Sequence, residues 1–232
     1  MCSTWIALSA ISTFILALVA IITAFKDEII SFFRKPELSI SFEPFPPDYH
    51  KTILRRVNNP SIWADTYYAR IKVHNSGKTK AENVEVLANK LYKILPDGKE
   101  KIVPDFIPIN LFWTYFFDSP IYPHISPDSY RYFTLLRVVD PKMRHALDED
   151  RTWDGIDPEN TIIGFETFVK PYSKKNLQPA GKYIIELRIS ASNIPKSINH
   201  KVQIILTGKW SKDEERMYED GIRINILNNK EN

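Results

Sequence analysis

The chain has 232 residues, of which 44% are hydrophobic and 25% charged. This composition is typical of a globular protein and excludes a disordered or fibrous one. The 31 lysine and arginine side chains nearly balance 28 aspartate and glutamate side chains, a balance that gives no reason to expect a nucleic-acid partner. Because Cys2 is the single cysteine, an intrachain disulfide and a thiolate metal cluster built from this chain alone are both excluded.

An uncharged apolar segment runs from Trp5 to Phe25. It is long enough to cross a hydrocarbon core of about 30 Å as a helix. The alternative is a cleaved signal peptide, but no lysine or arginine precedes the segment, and Ile22 is bulky where a cleavage site ending at Ala24 requires a small residue. We therefore expect residues 1–35 to form a retained transmembrane helix with its juxtamembrane extension, so that the lipid bilayer is one partner of the chain.

The orientation of this helix follows from the charges that flank it. The short N-terminal side has none, whereas Lys26, Arg34 and Lys35 follow the apolar segment. The positive-inside rule then predicts a single-pass protein with its C-terminal domain in the cytoplasm. Pro36 ends any helix, and strand-like alternation starts by Leu38, so we expect the domain to lie close to the bilayer.

Residues 36–232 show the period-two alternation of strands with one buried face. The predicted inward-facing groups are Leu38, Ile40 and Phe42; Ala69, Ile71 and Val73; Val84 and Val86; Tyr183, Ile185, Leu187, Ile189 and Ala191; Val202, Ile204 and Leu206; and Ile222, Ile224 and Ile226. Turns are expected at 75–78, where Gly77 would supply a positive φ, and at 96–99. A capping box at 211–214 predicts a short helix before the last strand. The pattern predicts a mainly β fold, an antiparallel sandwich following one N-terminal transmembrane helix.

Two segments carry a resemblance to a known class of domain. RIKVHNSGKTKAENVEV (Arg70 to Val86) is similar to a strand, Asn-x-Gly turn and strand of immunoglobulin-like modules, including the bacterial cell-adhesion-related type. QPAGKYIIELRISASN (Gln178 to Asn193) resembles the Pro-x-Gly-x-Tyr strand entry of the same group. The layout also resembles uncharacterised prokaryotic single-pass proteins with such a sandwich. The resemblance implies an immunoglobulin-like β-sandwich and a binding or scaffolding role, without catalytic residues.

A long crossover rich in aromatic residues is predicted at about 104–160. Ten aromatic residues lie between Pro104 and Thr134. The rings could cover an open end of a sheet, bind a protein partner, or face the membrane. The candidate binding residues are Phe112, Trp113, Tyr115, Phe116 and Phe117.

No other pattern in the sequence predicts a cofactor or metal site. The acidic run from Asp148 to Glu159 matches the start of a calcium loop, but the position that requires a bidentate glutamate is Thr161, so a solvated loop is the better interpretation. Five scattered histidines lack the spacing of zinc ligands. We therefore predict no catalytic, metal or cofactor site.

These patterns favour a membrane-tethered, non-enzymatic interaction or scaffolding module with an unknown protein partner. One alternative is an extracellular adhesion or polymer-binding domain, which requires the opposite topology. Another is a hydrolase whose site is assembled from loop residues such as Asp118, His124, Asp154 and Glu166.

Overall fold

The structure is a computed structural model that describes residues 2–26, 34–56, 58–144 and 159–227. Its first element, α1 (Cys2–Ala24), contains an uncharged apolar stretch, Trp5–Ala24, that is not buried against the rest of the protein. The hydroxyl groups of Ser12 and Thr13 bond back to carbonyl oxygens four residues earlier, which satisfies them without water. By length and composition, α1 could therefore cross a membrane.

Within the described residues, fourteen strands follow α1 in two antiparallel sheets of seven strands each. The first sheet contains β1 (Leu38–Ser41), β2 (Tyr49–Arg56), β3 (Asn59–Asn75), β7 (Phe112–Trp113), β9 (Ser129–Val139), β10 (Ile163–Phe165) and β11 (Leu177–Gln178). The second contains β4 (Ala81–Ile94), β5 (Glu100–Ile102), β6 (Ile109–Asn110), β8 (Ile121–Ile125), β12 (Gly181–Ser190), β13 (Ile198–Leu206) and β14 (Ile222–Leu227). About 49% of the described structure is strand, and the prediction of a mainly β, antiparallel fold after an apolar helix is confirmed.

The strand order explains how the core is built. The first sheet runs β1-β3-β9-β10-β11, with β2 also on β3 and β7 on β9, while the second runs β14-β13-β12-β4-β5, with β6 and β8 also on β4. Buried side chains of both sheets form one hydrophobic cluster, as the alternation of apolar and polar residues predicts. Ala69, Ile71 and Val73 on β3 are all buried, as expected from their spacing.

Three short helical segments complete the described fold: α2 (Pro141–Arg144), α3 (Glu214–Arg216) and a π-helical turn, Met217–Gly221. The helix predicted before the last strand is thus confirmed. Its N-cap is Asp213, whose carboxylate accepts a hydrogen bond from the Arg216 amide at 2.9 Å. Ser211 instead accepts a bond from the Asp213 amide at 3.1 Å, so the helix begins later than the capping box suggests.

The region predicted as a crossover contains more structure than expected. The short strands β6, β7 and β8 lie before residue 126, and β9 lies in the middle of the first sheet, between β3 and β10. The acidic run from Asp148 to Asp157 lies outside the described residues. In the described structure, only the part of residues 104–160 that precedes β9 therefore crosses between the two sheets.

Residues 35–37, which directly precede β1, are tied to one end of the sandwich, which we call the tethered end. The Lys78 amide bonds to the Lys35 carbonyl at 3.3 Å and the Ser76 amide to the Glu37 carbonyl at 2.9 Å. A Cβ at Gly77 would lie less than 3.0 Å from backbone atoms of this segment. The expectation of a positive φ at Gly77 is wrong, since its φ lies outside that range; glycine is required here because two stretches of backbone touch.

Candidate functional site

The predicted aromatic residues lie on β7 and in the tight turn that follows it. The Phe116 amide bonds to the Trp113 carbonyl at 3.1 Å, and Tyr115 between them has a φ of 62°. A non-glycine residue in this conformation costs on the order of 1 kcal/mol or more. The turn projects the Tyr115 ring into solvent, where its side chain is 81% exposed, and the Arg70 guanidinium lies 5.5 Å from the ring centre.

Trp113 and Phe116 have a different environment from their neighbours. Trp113 is 0% exposed and belongs to the core, where its indole nitrogen donates to the Pro120 carbonyl at 3.0 Å. Phe116 packs against that core and lies 5.1 Å from the Tyr122 ring. Both residues hold the turn in place, and neither forms its exposed part.

The exposed rings extend onto a neighbouring loop. Phe117 is 67% exposed and lies 6.0 Å from the half-buried Phe112, which in turn lies 5.4 Å from Phe168. Backbone bonds connect the two loops, because the Phe112 amide donates to the Glu166 carbonyl at 3.0 Å. We call Phe112, Tyr115, Phe117 and Phe168 the aromatic surface. Phe168 did not belong to the predicted set, since it follows 51 residues after Phe117 in the chain.

The four residues of the hydrolase alternative do not form one site in the described structure. Asp118 and His124 are exposed, and His124 lies on β8 of the second sheet. Glu166 follows β10 of the first sheet and forms a buried ion pair with Arg137. Asp154 lies outside the described residues. No group of three His, Cys, Asp or Glu side chains within the described part of the chain is arranged to hold a metal ion.

A second candidate, which sequence reasoning missed, is a pocket of about 440 Å³ at one edge of the sandwich. It lies between the segment that precedes β2 and the helical connection between β13 and β14. We call it the edge pocket. Pro44 and Pro46 contribute to its wall, together with three aromatic rings and three carboxylates: Phe45, Tyr49, Tyr218, Glu214, Glu215 and Glu219.

The pocket's position is fixed by contacts between the two sheets. The Lys51 amide on β2 donates to a carboxylate oxygen of Glu214 at 2.9 Å, and the Lys51 ammonium group donates to the Lys212 carbonyl at 2.7 Å. The Tyr49 and Tyr218 ring centres are 5.4 Å apart in an edge-to-face arrangement. These contacts attach the β13–β14 connection to the edge of the first sheet.

Tyr49 is the most unusual group in this pocket. It is 1% exposed and stacks on Tyr67 with 5.3 Å between ring centres, yet its hydroxyl has no hydrogen-bond partner among the described residues. Burial raises the pKa of the Tyr49 hydroxyl well above its ordinary value, and nearby Tyr67, Glu214 and Tyr218 raise it further. The group therefore remains a neutral phenol, able to donate or accept a hydrogen bond.

No signal in the sequence pointed to this pocket because its two halves are far apart in the chain. Tyr49 and Glu214 are separated by 165 residues. The capping box predicted the helical turn that carries Glu214, but not the strand edge against which it packs.

Comparison with known proteins gives no match: neither a protein-family model, nor a curated protein, nor a solved structure is similar to this chain.

Proposed function

We propose that the protein is a membrane-tethered, non-enzymatic interaction module, with α1 as a retained anchor and the sandwich as the domain that binds a protein partner. The observation that carries this proposal is the junction between anchor and domain. Residues 35–37 are bonded to the turn between β3 and β4, so the chain enters the sandwich at one defined end.

A buried side chain organises this junction. The amide oxygen of Asn75 accepts bonds from the Glu37 amide at 3.1 Å and the Gly77 amide at 3.0 Å. Its amide nitrogen donates to the carbonyls of Thr79 and Ile125, at 2.8 and 2.9 Å. One side chain thus joins the linker, the β3–β4 turn and the end of β8, which is the arrangement expected where a linker must be held rigidly.

The length of the linker limits how far the domain can move from a bilayer that contains α1. Lys26 and Arg34 are eight residues apart, a distance of at most about 28 Å for a fully extended chain. The 17-residue strand β3 is about 55 Å long. The distance between the tethered end and the bilayer is therefore shorter than the length of the sandwich.

The charges after α1 favour a cytoplasmic domain, and the resemblance of two segments to immunoglobulin-like modules supports a binding role. A domain outside the cell would favour the alternative, an adhesion or polymer-binding protein. The aromatic surface is the proposed contact for the partner, because exposed aromatic rings on a rigid turn provide anchor area at a small cost in conformational entropy.

Site-specific photocrosslinking in cells tests the partner surface. A photoreactive amino acid would replace Phe117 in the full-length protein, and a matched control would carry it at Ile102, an exposed residue of β5 in the second sheet. We expect a discrete crosslinked protein from position 117 that the second substitution Tyr115→Gly diminishes. Equal crosslinking from both positions, or none from position 117, would refute the proposed surface.

A further inference from the structure

The edge pocket combines features that favour a positively charged organic ligand. Its wall includes three carboxylates and no lysine or arginine side chain. None of Glu214, Glu215 and Glu219 forms an ion pair with a basic side chain of the described residues. The Lys51 ammonium and the Arg223 guanidinium lie nearby and donate to the backbone carbonyls of Lys212 and Glu219. Neither residue lines the pocket, so its wall carries net negative charge and disfavours an anionic ligand.

The aromatic rings add a second attraction for the same class of ligand. The faces of tyrosine and phenylalanine rings attract cations, and Phe45, Tyr49 and Tyr218 line one cavity. Phe45 is 54% exposed, so its ring is accessible from solvent. Apolar methyl or methylene groups beside the charge would gain further by contact with these rings and with Pro44 and Pro46.

Two further features distinguish this pocket from an ordinary acidic patch. The buried Tyr49 hydroxyl has no partner among the described residues, and buried polar groups in folded proteins nearly always have one. Glu214 is held by the Lys51 amide at 2.9 Å, so one carboxylate is preorganised. The volume of about 440 Å³ lies within the range of small-ligand sites.

We propose that the edge pocket binds an organic ammonium group, held by Glu214 and the neighbouring carboxylates and in contact with the rings of Phe45 and Tyr218, beside the buried Tyr49. Two sources supply this chemistry: a small quaternary ammonium compound, or the lysine side chain of a protein partner. This inference does not depend on the aromatic surface, because none of the residues of that surface lines the edge pocket.

The test is a titration of the full-length protein in nonionic micelles, followed by ¹⁹F NMR after labelling with 3-fluorotyrosine. The probes are tetramethylammonium chloride and N-acetyl-lysine methylamide, and sodium chloride and sodium sulfate serve as references at equal ionic strength. We expect saturable shifts of the Tyr49 and Tyr218 resonances with at least one ammonium probe and none with the sodium salts. Tighter binding of tetramethylammonium would indicate a small-molecule ligand, and tighter binding of the lysine analogue would indicate a protein side chain.

Matched variants separate the pocket from general electrostatics. Glu214→Gln removes the charge while its amide oxygen can still accept the bond from Lys51, and we expect it to weaken binding about fivefold. Glu100→Gln makes the same charge change on β5 of the second sheet and should alter binding by less than about twofold. The proposal is overturned if the shifts do not saturate, if sulfate produces them, or if both variants weaken binding equally. An unchanged thermal unfolding curve for Glu214→Gln would show that the fold is intact.

Discussion

Replacing Asn75 with alanine should strongly destabilise the sandwich, because this fully buried side chain makes four hydrogen bonds. The bond to the Ile125 carbonyl is buried, and its loss should cost about 1.5 kcal/mol. The bonds to the Thr79 carbonyl and from the Glu37 and Gly77 amides are partly buried, and each loss should cost about 0.5–0.8 kcal/mol. The expected total is about 3–4 kcal/mol.

Urea unfolding of the full-length protein in micelles, followed by tryptophan fluorescence, measures this loss. With an m-value of about 2–3 kcal/mol/M, the midpoint for Asn75→Ala should fall by about 1–2 M. The control is Asn225→Ala on the edge strand β14, an exposed asparagine, which should change stability by less than about 0.5 kcal/mol. Trypsin should also cleave after Arg34 faster in Asn75→Ala, because the linker is released. A midpoint shift no larger than that of the control would refute the role of Asn75.

Three other changes test the fold and the turn. Trp113→Ala should lower the free energy of unfolding by about 3–5 kcal/mol, because it leaves a cavity in the core. Tyr115→Gly removes an exposed ring at a positive φ and should change that free energy by less than about 0.5 kcal/mol. Equal losses in chemical denaturation would contradict the different burial of the two residues. Gly77→Ala should raise the rate at which trypsin cleaves the linker, because an added methyl group has no space against the linker backbone. An unchanged cleavage rate would show that this contact is absent in solution. Burial lowers the pKa of His200 below its ordinary value of 6.5, so the unfolded chain binds more protons than the folded one below about pH 6.5, and the free energy of unfolding should fall as the pH decreases through this range. His200→Gln should reduce that dependence in urea unfolding at pH 5 and pH 7.5. An identical pH dependence in both proteins would contradict the prediction.

The sequence could predict the strands that show clear alternation, because each of them has one face in the core. Leu187 and Ile189 on β12 were assigned to that face and are buried. The edge strand β2 was missed, since many of its side chains are only partly buried and no simple alternation results. The strand β9 was hidden by its run from Phe133 to Val139, all of it buried, which lacks period two.

The candidate sites were less predictable than the fold. Trp113 and Tyr115 are two residues apart, yet Trp113 is in the core and Tyr115 is in solvent. The reason is that the chain turns after β7, where Tyr115 has a positive φ. The edge pocket depends on the contact between the β2 edge and the connection between β13 and β14. Local patterns carry no information on such a distant pairing.

The most direct test of a membrane-tethered module is the accessibility of Cys2, the only thiol in the chain. Intact cells and lysed cells would be treated with a membrane-impermeant maleimide, and the mass of the protein from the membrane fraction would be measured. We predict a protein that retains its N-terminus and whose Cys2 is labelled in intact cells, which places the domain in the cytoplasm. A soluble protein that lacks α1 would contradict the anchor, and labelling only after lysis would contradict the topology and favour the extracellular alternative.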